Sequence, residues 1–279
     1  MARTPPATDG VSLSPDGSRV ATSFGEAPIR DIWVFDIARR NSIRVTFNGD
    51  NDYAVWSPDG RRVAFAANQA GTYDVLARAV DGSGAVDTLA SGDPYQFPGG
   101  WTPDGRAFVY RQNDAKTNED LYAVSLDGRR TIRTLNASPF TEIEPALSPD
   151  GQWLAYVSDE TGRREVYVRS MTGDGGKTPV SANGGDEPRW ARSGRELYYR
   201  TSDSLFAVPI TSGRTFTTGK PVALFADHYE RNLRFQNYDV LPSGAGFVML
   251  QNASGLADAA TELRLVVNWP ALLSAPSAR

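Results

Sequence analysis

The chain has 279 residues, is 40% hydrophobic and 22% charged, and carries a formal net charge of −4. That balance suits a globular protein and argues against a nucleic-acid binder, which needs a cationic face. Cysteine is absent and His228 is the single histidine, which excludes disulfides, thiolate nucleophiles, cysteine-held metals and a histidine-rich zinc site.

In chain order, Met1-Ala2-Arg3-Thr4-Pro5-Pro6 opens a ten-residue N-terminal extension without an apolar h-region, so no secretory signal is read in this chain. No run of about 18 apolar residues follows that could span a membrane. From residue 11 a repeat begins. Ser14-Pro15-Asp16-Gly17, Ser57-Pro58-Asp59-Gly60 and Ser148-Pro149-Asp150-Gly151 are identical, and Thr102-Pro103-Asp104-Gly105 is a near copy. Ala191-Arg192-Ser193-Gly194 and Leu241-Pro242-Ser243-Gly244 are worn copies. The glycines recur at steps of 43, 45, 46, 43 and 50 residues.

Each unit predicts four strands, A to D. Strand A ends in a bulky residue before the turn (Leu13, Trp56, Trp101, Leu147, Trp190, Val240), and strand B follows the glycine, as in Val63-Ala64-Phe65. Strand C alternates, as in Ile32-Trp33-Val34-Phe35, and strand D is short and polar, as in Ile132-Arg133-Thr134-Leu135. A period of about 40–50 residues built from short strands predicts an all-β, six-bladed β-propeller of four-stranded antiparallel blades. The blades fall at 11–50, 51–92, 93–138, 139–184, 185–232 and 233–273, ahead of a tail at 274–279. The last blade is expected to be incomplete, because Leu263 to Val267 runs into Asn268-Trp269-Pro270 with no strand D. Its outer strand is expected upstream, in a longer polypeptide.

The turn aspartates invite reading as an acidic site. They are better read as turn formers: proline presets φ, aspartate caps the turn, and glycine takes the left-handed conformation. The tryptophans before the turns are read as core between blades.

The repeat, with Asp31-Ile32-Trp33-Val34-Phe35-Asp36, Glu165-Val166-Tyr167-Val168-Arg169, Trp190 to Tyr199 and Val266-Val267-Asn268-Trp269, resembles the TolB-type propeller of the Tol-Pal system. A closer resemblance is to the C-terminal propeller of bacterial serine/threonine kinases and related regulators. The resemblance covers residues 11 to 273 and implies a docking or sensor module with an extracytoplasmic location. No kinase glycine-rich loop, catalytic-loop aspartate or Asp-Phe-Gly triplet is present, so kinase activity does not transfer.

Nucleophilic hydrolysis fails on inventory: there is no Gly-x-Ser-x-Gly elbow, and a triad would have to use His228 on the outer edge of the fifth blade. What remains is oxygen-ligand chemistry. The connections from strand D to the next strand A carry Asp52, Tyr53, Tyr95, Gln96, Glu142, Glu144, Asp186, Glu187, Gln236, Asn237 and Tyr238, expected as a broken polar ring at one mouth of the channel. Crowded carboxylates raise one another's pKa unless a cation or hydrogen bonds relieve them. The ring therefore reads as a solvated rim, as a seat for a protein or peptide partner, or as a calcium site built from Asp52, Glu144 and Asn237. The expected function is non-catalytic partner binding without a cofactor. The alternative is a calcium-dependent hydrolase similar to six-bladed lactonases. The acidic residues opening strand C (Asp31, Asp74, Asp120, Glu165, Glu262) recur too regularly for a ligand site and are read as architectural.

Overall fold

The computed structural model describes residues 7–69, 71–173, 175–213, 215–231, 236–250 and 265–267. Apolar alternation on one strand needs a second layer to cover it, and here the next repeat supplies that layer. The first sheet is β1 (Ala7–Leu13), β2 (Arg19–Glu26), β3 (Ile29–Asp36) and β4 (Asn41–Arg44). The second is β5 (Asp50–Trp56), β6 (Arg62–Asn68), β7 (Tyr73–Ala79) and β8 (Asp87–Ala90). The third is β9 (Gln96–Trp101), β10 (Ala107–Asp114), β11 (Asn118–Ser125) and β12 (Ile132–Asn136). The fourth is β13 (Glu142–Leu147), β14 (Trp153–Ser158), β15 (Glu165–Ser170) and β16 (Lys177–Pro179). The fifth is β17 (Asp186–Trp190), β18 (Glu196–Arg200), β19 (Ser204–Thr211), β20 (Thr217–Thr218) and β21 (Val222–Ala226), the last two both paired to β19. All pairings are antiparallel between sequence neighbours, apart from the β19–β21 skip.

The expectation of six blades is corrected to five, four of them four-stranded and the fifth five-stranded. The remaining strands, β22 (Tyr238–Val240), β23 (Gly246–Met249) and β24 (Leu265–Val267), form a three-stranded sheet among the described residues. Strand β1 begins at Ala7, so pairing starts inside the expected extension.

The cores lie between sheets. Ala21, Ile32 and Val34 of the first sheet pack with Trp56, Val63 and Phe65 of the second, and the fourth and fifth sheets pack in the same way around Trp190. The tryptophans also bond across the gap: Trp56 Nε1 donates to the Ser12 carbonyl and Trp190 Nε1 to the Ala146 carbonyl, each at 3.0 Å. Burying these rings is worth about 3–5 kcal/mol against alanine. The two ends of the ring meet where Val11, Leu13 and Val20 pack on Val248 and Leu250. Val11 N–H donates to the Gln236 carbonyl and Leu13 N–H to the Asp239 carboxylate, both at 2.8 Å.

Candidate functional site

The first strand of each sheet lines the central channel, and most of these strands carry a bulge. The register slips between Asp9 and Ser12, Asp52 and Val55, Ile143 and Ala146, and Asp186 and Arg189. Three residues before the strand's bulky end stand Gly10, Tyr53, Glu144 and Glu187, with φ of 70, 57, 53 and 53°. Left-handed backbone is costly for residues other than glycine and persists where neighbouring contacts enforce it. Pro98 and Asn237 hold the same position in the other two sheets.

The enforcing contacts run from sheet to sheet. Glu144 Oε2 accepts the Glu187 backbone N–H at 2.5 Å, and Glu187 Oε2 accepts the Asn237 N–H at 2.7 Å. Asp52 Oδ1 accepts from its neighbour Tyr53 N–H at 2.9 Å and from the Ser23 hydroxyl at 2.7 Å. Cations then neutralise most of the ring. Arg30 grips Asp50 at 2.7 Å and also pairs with Asp52. Asp186 meets Arg164 and Arg231 at 3.5 and 3.3 Å. Arg200 is wholly buried, and its guanidinium donates to both Asp227 oxygens, to Glu187 and to the Tyr229 and Glu230 carbonyls.

Glu144 lacks such an ion-pair partner. Its Oε1 is buried with no hydrogen-bond partner, beside a cavity with about 30 Å³ of free volume lined also by Gly10, Tyr53, Pro98 and Arg111. Burial first, then the charges of Glu187 and Asp186, push its pKa up to about 8. Glu187 is also raised by burial, against the opposing pull of Arg200. Burial raises Glu142 too, although the Ser138 hydroxyl donates to it at 2.6 Å.

The eleven residues expected as a connection-borne rim therefore divide. Asp52, Gln96, Glu142, Glu144, Glu187, Asn237 and Tyr238 are buried on, or immediately beside, the first strands. Tyr53, Asp186 and Gln236 are half-buried, and Tyr95 is 42% exposed. Tyr95 belongs to an aromatic cluster with Tyr73, Phe97 and Tyr53, whose successive ring centroids lie 5.9, 5.5 and 5.0 Å apart. Arg111 lies 4.4 Å over Phe97 and donates to the Tyr53 hydroxyl at 2.7 Å. The calcium set of Asp52, Glu144 and Asn237 is spread over three sheets, with Asp52 ion-paired and Glu144 hydrogen-bonded to the neighbouring strand. Among the described residues no three His, Cys, Asp or Glu side chains gather as a metal site.

The strand-opening acids bond to turns and to residues in or just after the outer strands. Asp31 accepts from Arg44 and Thr46, and Glu165 from Ser181 and the Gly184 N–H. Asp120 accepts from Thr117 and Asp74 from the Gly92 N–H, while Glu262 lies outside the described residues. His228 is exposed. Sequence reasoning missed Arg30, Arg111 and Arg200. A lone arginine closing Leu197-Tyr198-Tyr199-Arg200 was the available signal, since a strand end in solvent would not need to follow two buried tyrosines.

The architecture and its channel define a β-propeller. No family model matches the chain. An uncharacterized protein of Agrobacterium fabrum is 26% identical over 203 residues, 67% of each chain. The Tol-Pal system protein TolB of Bordetella pertussis is 29% identical over 155 residues, 40% of this chain and 35% of TolB, so the match spans about a third of that relative. A solved structure from Agrobacterium tumefaciens, provisionally identified as TolB, superposes with a TM-score of 0.65 at 19% identity over 86% of this chain and 88% of that one. An oligogalacturonate lyase of Vibrio parahaemolyticus superposes with a TM-score of 0.60 at 13% identity over 92% and 77% of the two chains. The TolB-like propeller fold is thus common to proteins with different activities. No helix among the described residues is long and apolar enough to cross a membrane.

Proposed function

We propose that this propeller is a non-catalytic module that docks a protein or peptide partner, as part of a bacterial envelope or regulatory system. The observation that carries this reading is the aromatic cluster of Tyr53, Tyr73, Phe97 and Tyr95 at the channel mouth, braced by Arg111. Tyrosine and arginine in a partly desolvated setting are the residue types that anchor interfaces. The buried carboxylates and the strained backbone of Tyr53, Glu144 and Glu187 hold this mouth in shape, and Tyr95, Asp186 and Gln236 are the groups a partner would meet. The similarity to TolB, a component of the Tol-Pal system, supports the same reading.

The test replaces Tyr95 with a photo-crosslinking amino acid and uses the exposed Val222, on the outer edge of the fifth sheet, as the control position. Irradiation in envelope extract should give a discrete adduct from position 95 and not from 222. Identical adduct patterns, or none from position 95, would remove this mouth as the docking surface.

A further inference from the structure

The opposite mouth, where the Ser-Pro-Asp-Gly turns lie, opens into a larger funnel with about 440 Å³ of free volume. We infer that this funnel receives the free C-terminal carboxylate of an extended, apolar peptide, with Arg189 as its principal partner. The inference goes beyond the docking mouth above and does not depend on it.

The wall is uneven in a telling way. One residue before the bulky end of each first strand stand Ser12, Val55, Gly100, Ala146, Arg189 and Asp239, all lining the funnel. Four are small or apolar, and the two charged ones are neighbours. Asp239 is already engaged: its oxygens accept the Leu13 and Val240 N–H groups, each at 2.8 Å. Arg189 approaches it only to 3.8 Å, outside hydrogen-bond range. The Arg189 side chain is 15% exposed, its Nε is buried without a partner, and its guanidinium makes no hydrogen bond within the described chain. Arg200, eleven positions on, shows what a buried guanidinium is normally given. Leaving such a group unsatisfied costs more than an ordinary hydrogen bond returns, and the planar fork matches a carboxylate in both charge and shape.

A second guanidinium, Arg192, stands at the rim and donates to the Pro15 carbonyl at 2.5 Å. Among the residues lining the funnel, Asp239 is the one acid against these two arginines, so the charge balance favours an anion. The geometry favours a chain end. Below the funnel the channel closes to the 30 Å³ cavity at Tyr53, Pro98 and Glu144, and Val55, Pro145 and Gln236 border both spaces. A polypeptide cannot thread that constriction. A terminus can stop above it without making a turn, and only the C-terminus brings the required negative charge. Trp56, Trp101, Trp190 and the turn prolines give its apolar residues a wall.

The test is fluorescence anisotropy with fluorescein-labelled Gly-Ala-Pro-Val-Ala as the free acid, as the C-terminal amide, and as an amide ending in glutamate. The acid should bind roughly tenfold tighter than either amide. R189M should erase that preference, and R189K, which keeps the charge without the fork, should weaken it. R189M should also melt within a few degrees of the parent, because Arg189 has no hydrogen bond to lose and its ion pair with Asp239 is long. A binding acid preference that survives R189M, an acid no tighter than its amide, or no binding by any probe would overturn the proposal. Equal binding by the glutamate amide would assign the site to a side-chain carboxylate and overturn the terminus. A large loss of stability in R189M would make Arg189 structural and would also overturn it.

Discussion

The carboxylate of Glu144 accepts the backbone N–H of Glu187, its positional counterpart one repeat later, at 2.5 Å. Two acids thereby share a buried seam, and one of them must stay protonated near neutrality. Burial and the neighbouring charges push the Glu144 pKa up to about 8 in the folded chain, from the 4.5 of an ordinary glutamate. The folded state therefore holds a proton that the unfolded state releases, so the stabilisation is complete below pH 4.5 and is lost as pH rises from there to about 8. Urea midpoints should fall over that window. Glu144→Gln keeps an acceptor for the Glu187 N–H and should flatten the slope, gaining stability over the parent at alkaline pH. An unchanged slope would place the shift elsewhere.

Arg200 should tolerate no substitute. Arg200→Met strands Asp227 and Glu187 without their cation, and breaking a buried pair from one side costs about 3–5 kcal/mol. Arg200→Lys should recover little, because five acceptors surround a fork that an ammonium cannot match. Denaturant titration of the two variants against Arg189→Met separates a satisfied buried guanidinium from an unsatisfied one on neighbouring strands.

The bond from Trp190 to the Ala146 carbonyl joins two blades, so Trp190→Phe should cost about 1–3 kcal/mol through the lost donor and the space left behind. Trp56→Phe should cost a similar amount at the Ser12 carbonyl. Chemical denaturation followed by the remaining tryptophan fluorescence would measure both.

Gly17 and Gly82 have nearly the same backbone, φ 72 and 76°, in different surroundings. A Cβ on Gly17 would sit 2.8 Å from Pro242 Cδ in the last sheet, whereas Gly82 faces open space. Both alanine variants bear the left-handed strain, so any excess cost in Gly17→Ala, of about 1 kcal/mol or more, reports the contact that closes the ring. Equal melting temperatures would show that Pro242 yields freely.

The blades were legible because turn chemistry and alternation are local. Pro15 and Gly17 specify their turn within four residues, and Trp56 declares itself by size. The sequence named the polar residues of these connections but not their partners. Nothing near Glu187 announces that Arg200 will reach it from the next strand, and nothing near Asp52 announces Arg30. These pairings depend on how far each first strand slips at its bulge, which is a property of the closed ring. The last sheet was legible in part, since Leu263 to Val267 suggested the strand whose described residues are Leu265–Val267 of β24.

Among the described residues, the first and last sheets share no strand; they meet through Leu13 and Asp239, Val11 and Gln236, and a small apolar patch. In mechanical terms the ring is a necklace with a clasp. Tension applied between the first and last sheets loads a few bonds at once and should part the clasp before any blade unravels. A pulling record should then show a small early rupture followed by larger, similar ones.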